Sequence, residues 1–317
     1  MPFMRVLVLG STGFLGQLVV DDLRRAGHDV EAWSRSEIED PHTARRRVDL
    51  DGTEPWPAPL ARLHAAILLA GPSVPARFTS ARDGAATLRI AERALAHLAR
   101  HAPGARVVVV SSAHVLTAAS APLAEDSPVA PRDDYAIAKS AVEALALAAP
   151  PELDVVIARL FGSLGPGLPR GLFVPDLLTR LVAGDPHVVL SGPDGLRDWT
   201  DGRDVSRALR LLMEVPPAGS RVFHLGSGRP TRLSDFAGRI ARALGSTARI
   251  DFAPGVGPTR IADASRLRAV TGWKPEHDLD STIAWIRDSL QLASRAAAWE
   301  DERLGRTADA RRPDTTS

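Results

Sequence analysis

A tyrosine and a lysine spaced four residues apart are the residues of this sequence best suited to proton transfer. Tyr135 is the sole tyrosine among 317 residues, and Lys139 is one of two lysines in a chain that otherwise takes its positive charge from arginine. Residues four apart on a helix share a face, so the Lys139 ammonium is expected beside the Tyr135 phenol. A free phenol has a pKa of about 10, and a neighbouring cation favours the phenolate. The pair therefore predicts a general acid with a pKa moved towards neutrality; the alternative is a half-buried aromatic next to a solvated lysine.

The elements that must position this pair begin with a glycine-rich turn near the start of the chain. Residues 6–9 are a continuous apolar run, typical of a strand covered on both faces, and an amphipathic helix to about Arg25 follows the turn. Glycines let the backbone approach a pyrophosphate, and the amino end of a helix offers unpaired N–H groups and a positive dipole. The spacing Gly-x-x-Gly-x-x-Gly is looser than the tighter dinucleotide fingerprint. The turn predicts a dinucleotide site formed by Gly10, Thr12, Gly13, Phe14, Leu15 and Gly16.

The end of the second predicted strand, residues 28–33, bears on the choice of dinucleotide. A carboxylate there would accept hydrogen bonds from a free ribose 2′-hydroxyl, but the chain has Ser34 and Arg35 at that point. A hydroxyl and a guanidinium suit a 2′-phosphate. NADP(H) is therefore the preferred cofactor, and NAD(H), with Arg35 pointing into solvent, is the alternative.

Two further predicted strands complete the cofactor side. Residues 48–51 are expected to close the third strand, with Asp49 and Leu50 bordering the adenine, and the preceding residues 45–47, all arginine, are expected to be a solvated loop. The fourth strand spans residues 66–71. Its last residues are expected to admit the cofactor closely, and they are Leu69, Ala70 and Gly71.

Ser112 ends the next predicted strand, which begins at Arg106. Ligands of open parallel sheets gather beyond the carboxyl ends of the strands, so the Ser112 hydroxyl is expected to hydrogen-bond a substrate carbonyl alongside Tyr135. His114 follows two residues later and is expected near the substrate. It is either a second acid or base or, as is more usual just past a strand, a packing and hydrogen-bonding residue.

Together these motifs resemble the extended short-chain dehydrogenase/reductase family, the group that contains nucleotide-sugar epimerases, dehydratases and ketoreductases. The resemblance rests on the glycine pattern, on Ser112 and on the Tyr135–Lys139 pair, and it continues nearly to the end of the chain. Its later motifs are residues 158–161 with 165–167, 192–199 leading to 204–205, 223–228 and 272–275. By position, the resemblance implies that Tyr135 gives or takes the proton, that Lys139 holds the nicotinamide ribose, and that Ser112 aligns the carbonyl. It also implies that Arg197 binds a substrate diphosphate; a surface arginine paired with Asp194 or Asp198 is the alternative.

The implied architecture is an α/β fold, a Rossmann-type doubly wound parallel sheet with a smaller C-terminal substrate-binding lobe. Prolines and glycines interrupt the regular pattern after about residue 165. We therefore predict a dinucleotide-binding domain over 1–165, to which 205–245 returns, and a mainly substrate-binding lobe over 166–299. Residues 300–317 lack an apolar face and are predicted to be a flexible tail.

Three features of the sequence depart from the resembled pattern. Gly162 stands where the family commonly has an asparagine, and Asp83 stands where an asparagine usually braces the interior. Ser112 is followed by Ala113 and His114 instead of the Asp-Glu pair that 4,6-dehydratases usually require. Dehydration is therefore disfavoured.

Composition limits the partners of the chain. Hydrophobic residues make up 44% and charged residues 24%, and 39 basic against 38 acidic residues give a formal charge of +1, which offers no electrostatic case for nucleic acid or a membrane. Without cysteine, disulfides and thiolate metal sites are excluded, and no histidine spacing supports a metal. The chain start leaves no room for a secretory signal, so a cytoplasmic location is expected. The alanine-rich helices predicted at 85–101 and 135–149 allow close helix approach, and the resemblance implies that they form the interface of a homodimer; the alternative is that these small residues pack only against the sheet.

The favoured activity is NADPH-dependent reduction of a nucleotide-linked keto sugar, most simply a 4-keto-6-deoxyhexose, with the proton supplied by Tyr135. An NAD-dependent nucleotide-sugar epimerase is the first alternative. A ketoreductase of a non-nucleotide natural-product carbonyl is the second, prompted by Gly162. A cofactor-sensing regulator on the same fold is disfavoured because the chain keeps both Tyr135 and Lys139.

Overall fold

The chain is built around a parallel sheet of seven strands, and a computed structural model describes residues 3–36, 43–58, 62–75, 78, 80–119, 122–215 and 219–303. The strands of this sheet are β1 Arg5–Leu9, β2 Asp29–Ser34, β3 Ala44–Arg47, β4 Ala65–Leu68, β5 Arg106–Ser112, β6 Asp154–Leu160 and β10 Val222–Leu225. The other strands are β7 Gly162–Leu164, β8 His187–Pro193, β9 Leu196–Asp201, β11 Pro230–Arg232 and β12 Arg249–Ala253. The helices are α1 Phe14–Arg25, α2 Ala81–His101, α3 Asp134–Leu147, α4 Phe173–Val182, α5 Gly202–Glu214, α6 Leu233–Ala243, α7 Ser265–Thr271 and α8 Leu279–Arg303.

The order of the main sheet is that of a doubly wound Rossmann-type fold. Its strands run β10-β6-β5-β4-β1-β2-β3, and all neighbours are parallel. Leu7 and Leu9 of β1 pack with side chains of α2 and α3, whereas Val6 and Val8 pack with α1 and α5. The apolar run is continuous because alternate side chains enter two different cores. The predicted fold is confirmed, and the strand order reverses at β1 and β4, which places a crevice at their carboxyl ends.

A second, smaller core lies in the C-terminal half of the chain. Side chains of α4, α6, β8 and β12 form it, together with Leu164 of β7 and Ile283 of α8. Two small sheets accompany this core, one in the order β11-β9-β7 and one formed by β12 and β8. Helix α5 and strand β10 instead join the core of the main sheet. The chain thus leaves the main sheet after β6, returns to it with α5 and β10, and enters the smaller lobe again with β11 and α6.

The third strand lies earlier than the sequence predicted. The expectation of a solvated loop over residues 45–47 is wrong, because these arginines form the edge strand β3, which pairs with β2. Nε of Arg46 lies 2.7 Å from Oε1 of the buried Glu31, and this ion pair stabilises a polar strand at the edge of the sheet. Asp49 and Leu50 follow this strand instead of ending it.

The last helix continues as far as the structure describes the chain. Helix α8 ends at Arg303, and the remainder of the predicted tail, residues 304–317, lies outside the described residues. Within the described ranges, no helix combines the length and the apolarity needed to cross a bilayer.

Candidate active site

The proton-transfer residues meet at the carboxyl edge of the main sheet. Asp133 N-caps α3, with its Oδ1 accepting the amide N–H of Ala136 at 2.7 Å, so that Tyr135 lies in the first turn of the helix. Ser112 is the last residue of β5, and its side chain lies beside the Tyr135 hydroxyl, where it lowers the pKa of the phenol. Lys139 follows one turn along α3, with Nζ 5.9 Å from the centroid of the Tyr135 ring. The structure therefore brings together the three residues that the sequence proposed for catalysis.

Tyr135 is held as a neutral phenol. Its ring packs edge-on against Phe78 and His114, at centroid distances of 5.1 and 5.6 Å. Burial raises the pKa of Tyr135 above its usual value, the neighbouring Ser112 side chain opposes that rise, and Asp133 reinforces it. The expected movement of this pKa towards neutrality is wrong for the protein alone, because the loss of hydration outweighs the influence of Lys139. A neutral phenol is the form that donates a proton.

Lys139 is almost fully buried at its place on α3. Its Nζ donates to the carbonyl oxygen of Val110 at 3.3 Å. Burial lowers the pKa of Lys139 to about 8, and the Glu143 carboxylate one turn further along α3 opposes that change. The lysine charge is therefore poised close to neutral pH.

The turn between β1 and α1 has the close backbone packing that a dinucleotide site needs. Gly10 has φ +92°, and a Cβ atom there would lie 2.8 Å from the backbone nitrogen of Ala70, at the end of β4. A Cβ on Gly16 would lie 2.2 Å from the carbonyl oxygen of Gly10. A Cβ on Gly13 would meet only that same carbonyl oxygen, at 3.5 Å, so this glycine borders open space.

The polar groups of this turn fit a pyrophosphate. Gly13 caps α1 without any side-chain hydrogen bond, so no side chain competes with a phosphate for the first N–H groups of the helix. The buried hydroxyl of Ser11 has no hydrogen-bond partner among the described residues. Thr12, Phe14 and Leu15 lie in the same turn as the glycines, and Leu69, Ala70 and Gly71 lie beside it after β4.

Two arginines lie at the carboxyl end of β2, where the adenosine ribose is expected. Ser34 ends β2 and donates its hydroxyl to the carbonyl oxygen of Ser36 at 2.7 Å, and Arg35 is exposed beside it. The register of β2 and β3 adds Arg47 directly opposite Ser34. A 2′-phosphate would find two arginines at this edge.

The carboxylates near this edge are engaged elsewhere. Glu31 of β2 pairs with Arg46 and accepts the indole N–H of Trp33 at 2.9 Å. Asp49 accepts the amide N–H of Asp51 at 3.2 Å, and Leu50 is buried in the core beneath it. The structure places Asp49 and Leu50 just beyond the edge strand, so their contact with the adenine remains a prediction.

Two adjacent arginines face the site from the smaller C-terminal lobe. Arg197 of β9 and Arg260 form an isolated parallel bridge, and the Arg197 guanidinium donates to the carbonyl oxygens of Leu196, at 3.1 Å, and Pro258. Burial, and then the neighbouring Arg260, lower the pKa of Arg197, and burial lowers the pKa of Arg260. The Asp133 carboxylate opposes the change at Arg260, but neither arginine forms a salt bridge within 4 Å in the described part of the chain, and Nε of Arg260 is buried without a hydrogen bond. Two half-buried cations with one distant carboxylate between them favour the binding of an anion.

The carboxylates that Arg197 might have paired with are bound to other groups. Asp198 accepts hydrogen bonds from the backbone N–H groups of Ser227, Gly228 and Ala262, at 2.8 to 2.9 Å, and from the Ser227 hydroxyl at 2.5 Å. Asp194 accepts the hydroxyl of Ser234 at 2.8 Å. The sequence alternative of an Arg197 ion pair with either residue is therefore wrong.

His114 stands between the tyrosine and the arginine pair. It lies in a single 3-10 turn, Ala113–Val115, directly after β5, and its backbone N–H donates to Ser112 Oγ at 3.2 Å. Nδ1 lies 3.9 Å from Oδ2 of Asp133 and has no hydrogen-bond partner in the described structure. Burial and then Arg260 and Arg197 lower the pKa of His114 to about 4, while Asp133 opposes that change. His114 is therefore neutral at neutral pH.

Two of the sequence departures have local structural reasons. A Cβ on Gly162 would lie 2.4 Å from the carbonyl oxygen of Asp198 and 2.6 Å from the Trp199 ring, so the pairing of β7 with β9 excludes a side chain there. Asp83 forms a capping box with Ser80 at the start of α2, accepting its backbone N–H at 3.1 Å. Asparagine at either position would serve a different local structure.

Sequence reasoning missed Arg260, Asp133 and the buried pair Glu143–Arg159. Arg260 lies in the irregular segment before α7 and carries no spacing signal of its own. Glu143 had a signal, because it continues the helical face of Tyr135 and Lys139 by another four residues. Among the described residues, no group of three His, Asp or Glu side chains could hold a metal ion.

This fold and site define a Rossmann-type dinucleotide enzyme with a Ser-Tyr-Lys set at the sheet edge. The profile of the NAD dependent epimerase/dehydratase family matches residues 6–226, and the chain belongs to this family, which is of the extended short-chain dehydrogenase/reductase type. The chain spans a little over half the length of the curated dTDP-glucose 4,6-dehydratases it matches, for example 58% of that of Streptomyces niveus, at 30% identity over 59% of this chain. A UDP-glucose 4-epimerase of Mycolicibacterium smegmatis is 28% identical, over 89% of this chain and 96% of the relative.

Solved structures extend the similarity over nearly the whole chain. MoeE5 in complex with UDP-glucuronic acid and NAD has a TM-score of 0.80 and 27% identity, covering 91% of this chain and 99% of that one. RMD from Pseudomonas aeruginosa complexed with NADPH has a TM-score of 0.76 and 26% identity, covering 90% and 98%. The family is NAD(P)-dependent, and similar proteins were solved with either dinucleotide.

Proposed function

We propose that this protein is an NADPH-dependent reductase of a nucleotide-linked keto sugar, most simply a 4-keto-6-deoxyhexose. The observation that carries the choice of cofactor is the pair of arginines at the ribose edge, Arg35 after β2 and Arg47 opposite Ser34. A free 2′-hydroxyl gains nothing from them, whereas a 2′-phosphate pairs with them directly. An enzyme that selects NADPH uses it as a reductant that is exchanged at each turnover.

The catalytic set supports reduction of a carbonyl. NADPH, when bound, supplies the hydride. Tyr135 gives its phenol proton to the oxygen that becomes the alcohol, and Ser112 provides a second hydroxyl at the same oxygen, where negative charge develops. The Lys139 ammonium then stabilises the phenolate that Tyr135 becomes.

The arginine pair supports a nucleotide diphosphate as the handle of the substrate. Arg197 and Arg260 offer two planar cations on adjacent backbone segments, and the neutral His114 beside them offers a hydrogen bond to the sugar. A similar protein, MoeE5, was solved with a UDP-sugar acid. The non-nucleotide ketoreductase loses the observation that prompted it, because packing explains Gly162.

An NAD-dependent nucleotide-sugar epimerase is the second candidate. A relative that matches nearly its full length is a UDP-glucose 4-epimerase, and a tyrosine that can give a proton can also take one. The arginines at the ribose edge are the observation against it.

One binding measurement separates the two candidates. Purified protein is titrated with NADPH and with NADH, and the dinucleotide that co-purifies is identified after denaturation. Exchangeable binding with at least about tenfold preference for NADPH, followed by NADPH oxidation with dTDP-, UDP- or GDP-linked 4-keto-6-deoxyhexoses, supports the reductase. Retained NAD and interconversion of UDP-sugars without net oxidation would establish the epimerase instead.

We also propose that two copies associate through α2 and α3. These helices pack together, and α3 leaves Ile137 and Leu147 about half exposed near Ala144. Small residues allow close helix approach. Sedimentation of the wild type and of Ala144→Arg tests this: a dimer that the arginine disrupts supports it, and a monomeric wild type refutes it.

A further inference from the structure

Lys139 adjoins a buried pair of charges that the proposed reaction does not use. Glu143 has only 4% of its surface exposed, and Arg159 of β6 binds its carboxylate in a bidentate way. Nε donates to Oε1 at 2.9 Å and Nη2 donates to Oε2 at 2.8 Å. The third nitrogen of Arg159 donates to the carbonyl oxygen of Glu125 at 3.2 Å. A buried ion pair of this kind is expensive to desolvate and is weak evidence for stability by itself. Its place beside the catalytic lysine points to another use.

Lys139 has few polar neighbours, and Glu143 is the charge that acts on it. The groups around it are Tyr135 and Glu143 on α3, the Val110 carbonyl on β5, Arg159 on β6, Glu125 behind Arg159, and His224 on β10. The Glu125 carboxylate accepts the backbone N–H of His224 at 2.9 Å and lies 3.6 Å from Arg266, and His224 Nδ1 bonds the carbonyl oxygen of Leu123. These outer groups are therefore occupied with one another.

The two hydrogen bonds from Arg159 to the carboxylate explain why Glu143 can act on Lys139. A buried carboxylate without a cation takes up a proton and loses its charge. The planar guanidinium of Arg159 prevents this by binding both oxygens. The charge of Glu143 thus persists one helical turn from an ammonium that burial drives towards the neutral form.

We propose that Glu143, held ionised by Arg159, is a positioning residue that keeps Lys139 protonated beside Tyr135. The importance of that charge for catalysis rests on the proposed function. The charge itself is measurable without any substrate.

The chain offers an unusually direct experiment, because it has only two lysines, Lys139 and Lys274. Protein labelled with 13C at lysine Cε gives two side-chain signals, and Lys274→Arg assigns them. The Lys139 signal is expected to titrate near pH 8 in the wild type. In Glu143→Gln its midpoint is expected to fall by about one pH unit, because the carboxylate that favours the ammonium is gone.

Two matched variants separate charge from packing. Glu143→Asp keeps the charge but alters the grip of Arg159, so its Lys139 midpoint should stay well above that of Glu143→Gln. Glu214→Gln removes an equally buried glutamate of α5, which pairs with Arg210 at 3.0 Å and His28 at 2.9 Å, away from the site. It should lower the melting temperature and leave Lys139 unchanged.

The outcomes are distinct. An unshifted Lys139 midpoint in Glu143→Gln, or the same shift in Glu214→Gln, overturns the proposal. If the reductase is established, the alkaline limb of the kcat profile of Glu143→Gln should move to lower pH together with the lysine midpoint. A shifted lysine in a protein with no reductase activity would uphold this inference and refute the proposed function.

Discussion

The two halves of the cleft are built from different chemical groups, one from the main chain and the other from side chains. The cofactor half is made of main chain: Gly10, Gly13 and Gly16 bring backbone and helix N–H groups to one place, and two of the three glycines have no room for a Cβ. The half expected to bind substrate is made of side chains: Arg197 and Arg260 lie on separate segments, and neither has a salt bridge among the described residues. A site built from backbone groups has one fixed geometry, but it accepts any ligand that presents the matching group. A site built from side chains is more specific, and single substitutions change it easily.

The largest expected effect lies between the halves, at Tyr135. Tyr135→Phe removes the proton donor but keeps the ring that packs on Phe78. NADPH-dependent turnover of a keto-sugar nucleotide should fall by about a hundredfold or more, while NADPH affinity stays near that of the wild type. Turnover within a few fold of the wild type would remove Tyr135 from the mechanism. Steady-state kinetics and cofactor titration measure both quantities.

The backbone half is tested by two glycines that differ in free space. Gly13→Ala places its methyl group into open space, so the melting temperature should hold while NADPH affinity falls by at least about tenfold. Gly16→Ala places a Cβ 2.2 Å from the Gly10 oxygen and should lower the melting temperature as well. Calorimetry with and without NADPH reads both results, and unchanged NADPH binding in Gly13→Ala would contradict a pyrophosphate at this turn.

The side-chain half should respond without loss of stability. Arg197→Ala and Arg260→Ala each remove a half-buried cation that has no salt bridge among the described residues, so the melting temperature should hold or rise. The KM for the nucleotide sugar should increase by about ten- to a hundredfold, since a charge-assisted hydrogen bond is lost. An unchanged KM in both variants would show that the diphosphate binds elsewhere.

The preference for NADPH over NADH is a smaller expected effect. It depends on side chains that lie at the edge of the half built from backbone groups. Arg35→Ala and Arg47→Ala should each weaken NADPH binding by about tenfold and leave NADH binding unchanged. The ratio of the two dissociation constants is the measurement. Equal losses for both cofactors would point to a structural role for these arginines.

The smallest effect concerns pH. The folded protein holds the pKa of His114 at about 4, below its ordinary value of 6.5, so the unfolded chain binds more protons in between. Stability should therefore fall as the pH drops from about 6.5 to about 4, and His114→Gln should flatten that dependence. Thermal melts across this range give the slope, and equal slopes in both proteins would contradict a shifted His114.

The same contrast determines what the sequence could reveal. Groups that lie close together in sequence leave local signals, so the sequence predicts the glycine turn and the Tyr135–Lys139 pair, and it places Ser112 at the end of a strand. The sequence did not predict strand β3, because three consecutive arginines are typical of a solvated loop, and only the ion pair with the buried Glu31 explains their place in the sheet. The helical spacing of Glu143 gave a signal for the carboxylate but not for its partner Arg159, which lies on a strand, and nothing local connects Arg260 with Arg197. The pKa of Tyr135 was predicted with the wrong sign because burial, unlike spacing, is a property of the whole fold.

Gly162 carries a consequence for how this chain can change. The place that a side chain would need is filled by Trp199 and the Asp198 carbonyl, so a lone Gly162→Asn substitution separates β7 from β9 before it contributes any new contact. A smaller residue at position 199 would relieve only the contact with the ring, because the nearest atom is the backbone carbonyl oxygen of Asp198, at 2.4 Å. A side chain at position 162 therefore needs a shift in the pairing of the two strands, and laboratory evolution towards one would have to move the backbone and not only replace a neighbouring side chain.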